Sequence, residues 1–112
     1  DTLYVFEAPI DLLSYISLFP EGWQEHNYVA CCGTSSIPVL EMLRQLPQLR
    51  QVYLCLDNDA AGHAASERMA ALLKEHGLNA VRLCPVCKDW NDDLKAEQEN
   101  KMERSELCQT FC

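Results

Sequence analysis

Basic residues are scarce in this chain. Its 112 residues include 9 Lys and Arg against 17 Asp and Glu, a formal net charge of -8. Binding to a phosphate backbone usually rests on Lys and Arg that release counterions. This balance argues against a self-sufficient nucleic-acid binder; so acidic a domain must first attract cations or borrow basic surface from its neighbours. Long apolar runs are missing as well. None approaches the roughly 20 residues needed to span a bilayer, and no basic-then-apolar leader with a cleavage site is present. Membrane insertion and secretion are not expected, and a cytoplasmic setting is. A second CxxC is also lacking: Cys84 and Cys87 form one in LCPVCKDW, and His26, His63 and His76 show no partner spacing. A zinc site takes four ligands, usually from two such pairs, which argues against zinc at Cys84/Cys87. No internal repeat and no low-complexity segment occurs.

What the chain does have is a globular composition, with 48% hydrophobic residues, and a length that suits one core but not two. It starts at Asp1 and not at Met, with a strand almost at once, which reads as a domain cut from a longer protein. Its 7 cysteines fall mostly in apolar segments (Cys31, Cys32, Cys55, Cys84), where Cys acts as a small buried hydrophobe. A reduced thiol set is expected of them.

Strand and helix signals alternate along the sequence. TLYVFE (2–7), YVACC (28–32), QVYLCL (51–56) and NAVRLC (79–84) are short and rich in β-branched, aromatic or apolar residues, as strands are. Between them lie helix-length connections. Pro9 opens a helix to about Phe19, with Leu12, Leu13, Ile16 and Phe19 as its apolar face, and Pro38 sits in the first turn of a helix near 37–46. Residues 60–76 form a strong helical segment ended by Gly77, and a last helix is expected from about Asp92 into the polar tail. Such alternation predicts an α/β fold: a four-stranded, mostly parallel sheet with helices on both faces.

In such a sheet, ligands gather beyond the carboxyl ends of the strands, at the switch point of strand order. Glu7 ends the first strand, Asp57 and Asp59 end the third, and Lys88, Asp89, Asn91, Asp92 and Asp93 follow the fourth, with Gly33 after the second. If the first and third strands are neighbours, in the order 2-1-3-4, Glu7 faces Asp57 and Asp59. Like charges so close disfavour one another unless something positive lies beside them. An all-oxygen cluster suits a hard divalent cation, most naturally Mg²⁺, which uses one or two carboxylates and leaves room for phosphate.

Each residue also has a plainer reading. Asp59 could N-cap the helix that starts at Ala60, Asp57 could satisfy loop amides, and Glu7 could be an exposed strand end. Asp11 could rim the site or complement the helix N-terminus. Lys88 could meet a phosphate or pair with Asp57 or Asp59; Asp89, Asn91 and Asp92 could bind metal or cap the last helix. Trp23 and Trp90 read as packing residues. Gly62 costs helix stability relative to Ala, which points to close approach by some backbone. Taken singly, the acids favour the plain reading; converging from three strand ends, they favour a metal.

The quoted segments resemble a known family, the toprim domain shared by topoisomerases, bacterial-type primases and some nucleases. VFEAPIDLLSY is similar to its first motif, a Glu ending a strand followed by a small turn and an Asp on the helix. ACCGT resembles the second-strand segment ending in Gly, LCLDNDAAGHAA the Asp-x-Asp followed by Gly, and CKDWNDDL the element after the fourth strand in primase-like members. Ala8 stands where many relatives have Gly.

The resemblance implies a Rossmann-like toprim fold over residues 1–94, with residues 95–112 as a C-terminal helical tail. It implies Glu7 as general acid/base or metal-linked group, Asp57 and Asp59 as Mg²⁺ ligands (Mn²⁺ able to substitute), and Gly33 giving close approach. Asp11, Lys88, Asp89 and Asp92 would border the metal and phosphates. The KDWND element tilts the placement to the primase-like branch, including plasmid and integrative-element proteins.

Two functional readings follow. One is Mg²⁺-dependent nucleotidyl or phosphoryl transfer in DNA replication or mobile-element maintenance, with DNA or RNA reached through neighbouring domains. The other is a non-catalytic metal-binding module that positions nucleic acid or a partner protein. A receiver domain ranks lower, since its paired acids follow the first strand and here the pair follows the third.

Overall fold

In a computed structural model describing residues 1–111, with side chains described through Arg104, four strands and four α-helices alternate in order. The elements are β1 (Thr2–Phe6), α1 (Pro9–Leu18), β2 (Asn27–Ala30), α2 (Ile37–Gln45), β3 (Gln51–Leu54), α3 (Ala60–Glu75), β4 (Asn79–Arg82) and α4 (Trp90–Phe111). The sheet order is β2-β1-β3-β4 and all three pairings are parallel. The expected switch point between β1 and β3 is therefore present, with Val5 opposite Leu54.

Alternation along β1 divides the core into two layers. Leu3 and Val5 point to the face covered by α2 and α3, where Val52, Leu54, Val39, Met69 and Leu73 are buried with them. Tyr4 and Phe6 point to the opposite face, packed with Leu12, Tyr15 and Leu18 of α1 and Trp90 of α4. Here Tyr4 stacks between its register partners Tyr28 and Tyr53, with ring centroids 5.4 and 4.9 Å away. Tyr15 tilts onto Tyr4 at 5.3 Å and meets Trp90 edge-on at 4.9 Å, geometry that aromatic quadrupoles favour.

Several local expectations are corrected. The apolar face of α1 is not Leu12, Leu13, Ile16 and Phe19: Leu13 and Phe19 are exposed, whereas Asp11 and Ser14 are buried. The helix is rotated so that Tyr15 reaches the sheet and Asp11 the strand ends; the Ser14 hydroxyl is satisfied by the Ile10 carbonyl at 2.7 Å. Helix α4 starts at Trp90 and not Asp92, because Asp89 is its cap: the Asp92 N–H donates to Asp89 Oδ1 at 2.8 Å. Of the cysteines placed in apolar segments, Cys31 and Cys55, each the first residue past its strand, are buried, but Cys32 and Cys84, each two residues past, are exposed. Trp90 packs as expected, whereas Trp23 lies exposed in a single 3-10 turn.

Candidate metal centre

The turn after β3 carries the central acid. Asp57 lies two positions past the first residue beyond the ladder, and its backbone is held from every side. Its N–H donates to Glu7 Oε1 at 3.3 Å. Its carbonyl oxygen accepts from Arg82 Nη2 at 2.7 Å. The next N–H, of Asn58, donates to the Lys88 carbonyl at 2.7 Å, and the Asn58 amide reaches the Pro85 carbonyl at 3.1 Å. Helix α3 comes in so close that a β-carbon at Gly62 would stand 2.0 Å from the Asp57 carbonyl oxygen, which only glycine avoids. The backbone whose approach Gly62 permits is thus that of the acidic turn itself.

Two other acids converge on Asp57. Asp11, in the first turn of α1, is 3% exposed, and its Oδ1 accepts the Asn91 N–H at 3.2 Å. Asp89 caps α4 with Oδ1, which leaves its second oxygen free. Carboxylate oxygens of Asp11, Asp57 and Asp89 all lie within 4.8 Å of one another. Neither Glu7 nor Asp59 belongs to that trio. Asp59 spends an oxygen on the N-cap of α3, accepting the Gly62 N–H at 2.7 Å, so its plain role is real. Glu7 stands beside the trio through its bond to the Asp57 N–H.

Electrostatics follow from this crowding. Burial pushes Asp11 up to about 6, with Asp89, Asp57 and Asp92 raising it further and the Asn91 N–H opposing. Burial also raises Asp57, with the charges of Asp59 and Asp89 adding and Lys88 opposing. Glu7 is raised by burial and then by Asp57. Asp57 Oδ1 is buried without any hydrogen-bond partner. A native carboxylate oxygen left so is costly unless something outside the protein meets it. Three oxygen donors of this kind fit a hard divalent cation, which would relieve both the repulsion and the orphaned oxygen.

The chain matches a family model described as Toprim-like over residues 4–94. It belongs to the Toprim-like family. Among curated proteins it is 31% identical over 102 residues to the "Uncharacterized protein MG010 homolog" of Mycoplasma pneumoniae, covering 89% of this chain and 46% of that protein. It is 24% identical over 94 residues to "Uncharacterized protein MG010" of Mycoplasma genitalium, covering 82% and 41%. The chain thus spans less than half the length of these relatives. The fold is also that of the primase fragment of the bacteriophage T7 primase-helicase protein, with a TM-score of 0.65 at 24% identity over 92% of this chain and 43% of that one. The same score and identity hold for a T7 lagging-strand DNA polymerase structure containing primase domains bound to an RNA/DNA hybrid and dTTP, over 92% of this chain and 52% of that one.

Within this toprim domain the remaining expected residues are placed as follows. Gly33 follows Cys32, a residue with φ of 54°, and itself has φ of 143°; its N–H donates to the Glu7 carbonyl at 3.0 Å. A β-carbon there would meet no protein atom within 4 Å, and the positive φ is the backbone reason for glycine. Among the described residues Lys88 makes no ion pair; its charge acts on Asp57 while its carbonyl holds Asn58. Asn91 accepts from the Ser14 hydroxyl at 3.3 Å. Asp92 lies in the first turn of α4, close enough to raise Asp11. Asp93 accepts the N–H groups of Val86 and Cys87 at 2.9 and 2.7 Å, tying the loop before α4. Cys84 and Cys87 belong to no metal-ligating cluster among the described residues.

Sequence reasoning underrated Asp11 and Asp89 and missed Arg82. The signal for Asp11 was its place on the helix four residues after the strand-ending Glu7; Arg82 gave none, being one charged residue at the end of a half-exposed strand. No helix among the described residues is long and apolar enough to cross a membrane.

Proposed function

We propose that this toprim domain belongs to a DNA primase-like protein and works in Mg²⁺-dependent nucleotidyl or phosphoryl transfer on nucleic acid. The setting is DNA replication or mobile-element maintenance in the cytoplasm. The observation that carries the reading is the meeting of Asp11, Asp57 and Asp89 around an Asp57 oxygen that is buried and unpartnered. Asp57 and Asp89 would hold the cation, with Asp11 beneath them and Asp59 offering its uncapped oxygen from the rim. Bound there, a divalent cation would neutralise phosphate charge and, as a Lewis acid, polarise a phosphoryl oxygen.

The chain's own groups supply the rest. Glu7, its carboxyl raised by burial and by Asp57, would take a proton from an attacking hydroxyl and return it to solvent. Lys88 stands near enough to act on Asp57 yet pairs with no acid among the described residues, which suits a phosphate contact. DNA or RNA would be gripped by neighbouring domains, since the net charge here is -8.

The test is a primer-synthesis assay on the full-length protein with Mg²⁺ or Mn²⁺, comparing wild type with Glu7→Gln and Asp57→Asn. Loss of incorporation in both variants supports the assignment. An unchanged rate in Glu7→Gln removes the role given to Glu7. That same acidic surface supports a second reading, a metal-binding module that positions nucleic acid or a partner while other domains react. Under it, Mn²⁺ binds at Asp57 but neither substitution changes nucleotide incorporation.

A further inference from the structure

Beyond Leu54 the third strand leaves the ladder, and its carbonyl groups lose their sheet partners while the chain turns toward α3. One side chain meets the carbonyls of Leu56 and Asp57, and it also reaches that of Leu54, which still accepts the Leu83 N–H at 2.9 Å. Arg82, last residue of β4, sends Nη1 to the Leu54 carbonyl at 3.3 Å and to the Leu56 carbonyl, and Nη2 to the Asp57 carbonyl at 2.7 Å. Nη2 also lies 3.4 Å from His63 Nδ1 and 3.7 Å from Cys84 Sγ. The guanidinium is thus a fork set into the acidic turn from the side away from the acids.

We infer that Arg82 is the positioning residue of the centre: by gripping the Leu56 and Asp57 carbonyls it aims the Asp57 carboxylate at Asp11 and Asp89. This rests on the metal-binding reading above. One observation separates aim from charge: every Arg82 bond to the turn goes to backbone carbonyl and none to a carboxylate. Arg82 also has a counterpart on the other edge of the Leu56–Asp57 peptide: Arg82 holds its C=O and the Glu7 carboxylate holds its N–H. The Asp57 carbonyl is held as well, with the backbone of Gly62 laid against it, so the turn is fixed from both edges. An ammonium in place of the guanidinium has the charge but not the planar fork that reaches successive carbonyls.

The experiment is Mn²⁺ binding to the full-length protein, read by electron paramagnetic resonance, for wild type, Arg82→Met, Arg82→Lys and Arg44→Met. The last removes the same charge from an exposed pair with Glu41. Groups that orient metal ligands from behind typically change affinity roughly 10- to 100-fold. Weakening of that size in both Arg82 variants, with Arg44→Met unchanged and the metal-free melting temperature of Arg82→Lys retained, is the expected result. Affinity equal to wild type in Arg82→Met overturns the inference. So does full affinity in Arg82→Lys, which would make the charge and not the fork responsible. If Arg82→Met does not fold, the affinity of Arg82→Lys decides by itself.

A wild-type protein with no saturable Mn²⁺ binding would sink the metal reading and leave this one to amide exchange. Exchange at Asn58, the residue leaving the gripped turn, should quicken in Arg82→Lys if the fork holds the turn. Unchanged exchange there would overturn the inference.

Discussion

A β-carbon on Gly62 would stand 2.0 Å from the carbonyl oxygen of Asp57, and 2.9 Å from its carbonyl carbon. The first turn of α3 is therefore laid directly on the turn that carries the central acid. Asp59 N-caps this same helix by accepting the Gly62 N–H, so cap, glycine and acid form one short unit. The Asp-x-Asp-x-x-Gly spacing of residues 57–62 has a backbone reason independent of any metal.

Gly62→Ala is the sharpest test of that unit. The clash is with backbone, which cannot rotate away, so the expected cost is about 3 kcal/mol, outweighing the gain in helix propensity. Chemical denaturation should show it, together with weaker Mn²⁺ binding from a displaced Asp57. A variant as stable as wild type would mean that α3 and the turn are not in contact.

Asp11 should make the metal-free protein pH-sensitive. Its carboxyl is raised from the ordinary range to about 6, so the folded state favours the protonated form. The associated stability is full below the unfolded value near 4 and is lost as pH rises through about 6. Asp11→Asn keeps an acceptor for the Asn91 N–H and removes the charge. In a chelator at pH 7 it should raise stability by on the order of 2 kcal/mol, and at pH 4 it should change little. With Mn²⁺ the order reverses, because the variant has lost a carboxylate from the centre. Thermal melts at both pH values, with and without Mn²⁺, give all four comparisons.

Trp90 joins the last helix to the third strand. It is 6% exposed, and its indole N–H donates to the Cys55 carbonyl at 3.0 Å. Trp90→Phe retains an aromatic ring against Tyr15 but leaves that carbonyl unmet, for an expected cost of about 2 kcal/mol. Since Asp89 precedes Trp90, the same substitution should loosen Mn²⁺ binding. Equal stability of the two proteins in urea would count against the bond.

Thiol reactivity should divide the described cysteines. Cys32 and Cys84 are exposed, whereas Cys31 is buried with its thiol pushed up to about 11, and burial raises Cys55 as well. Thiolate is the reactive form. Brief iodoacetamide treatment of the native protein should label Cys32 and Cys84 and spare Cys31 and Cys55, as read by peptide mass spectrometry. Labelling of Cys55 before Cys84 would contradict the packing of the Phe6–Cys55–Trp90 layer.

Much of this architecture is local information. The β-branched and aromatic content of TLYVF, prolines opening α1 and α2, and Gly77 after α3 each act over a few residues and are visible without coordinates. Parallel strands with helical crossovers then bring all strand ends to one edge, so Glu7, Asp57, Asp59 and the KDWND segment could be gathered by topology alone. What a sequence expresses poorly is rotation about an axis. Leu13 and Phe19 look as apolar as Leu12 and Tyr15, and only packing against the tyrosine row and Trp90 selects which face of α1 turns in.

The same limit applies at the centre. Fold class and the edge at which acids collect were legible in the chain, because they follow from periodicity and connectivity; the order β2-β1-β3-β4 entered the sequence reading only as a condition, which the sheet meets. Three-dimensional packing was needed to bring Asp11 and Asp89 to Asp57 and to set Arg82 behind the turn. Those outcomes hang on helix rotation and on the path of the chain past its last ladder bond. They are set by contacts between residues 25 to 80 positions apart, for which no local pattern exists.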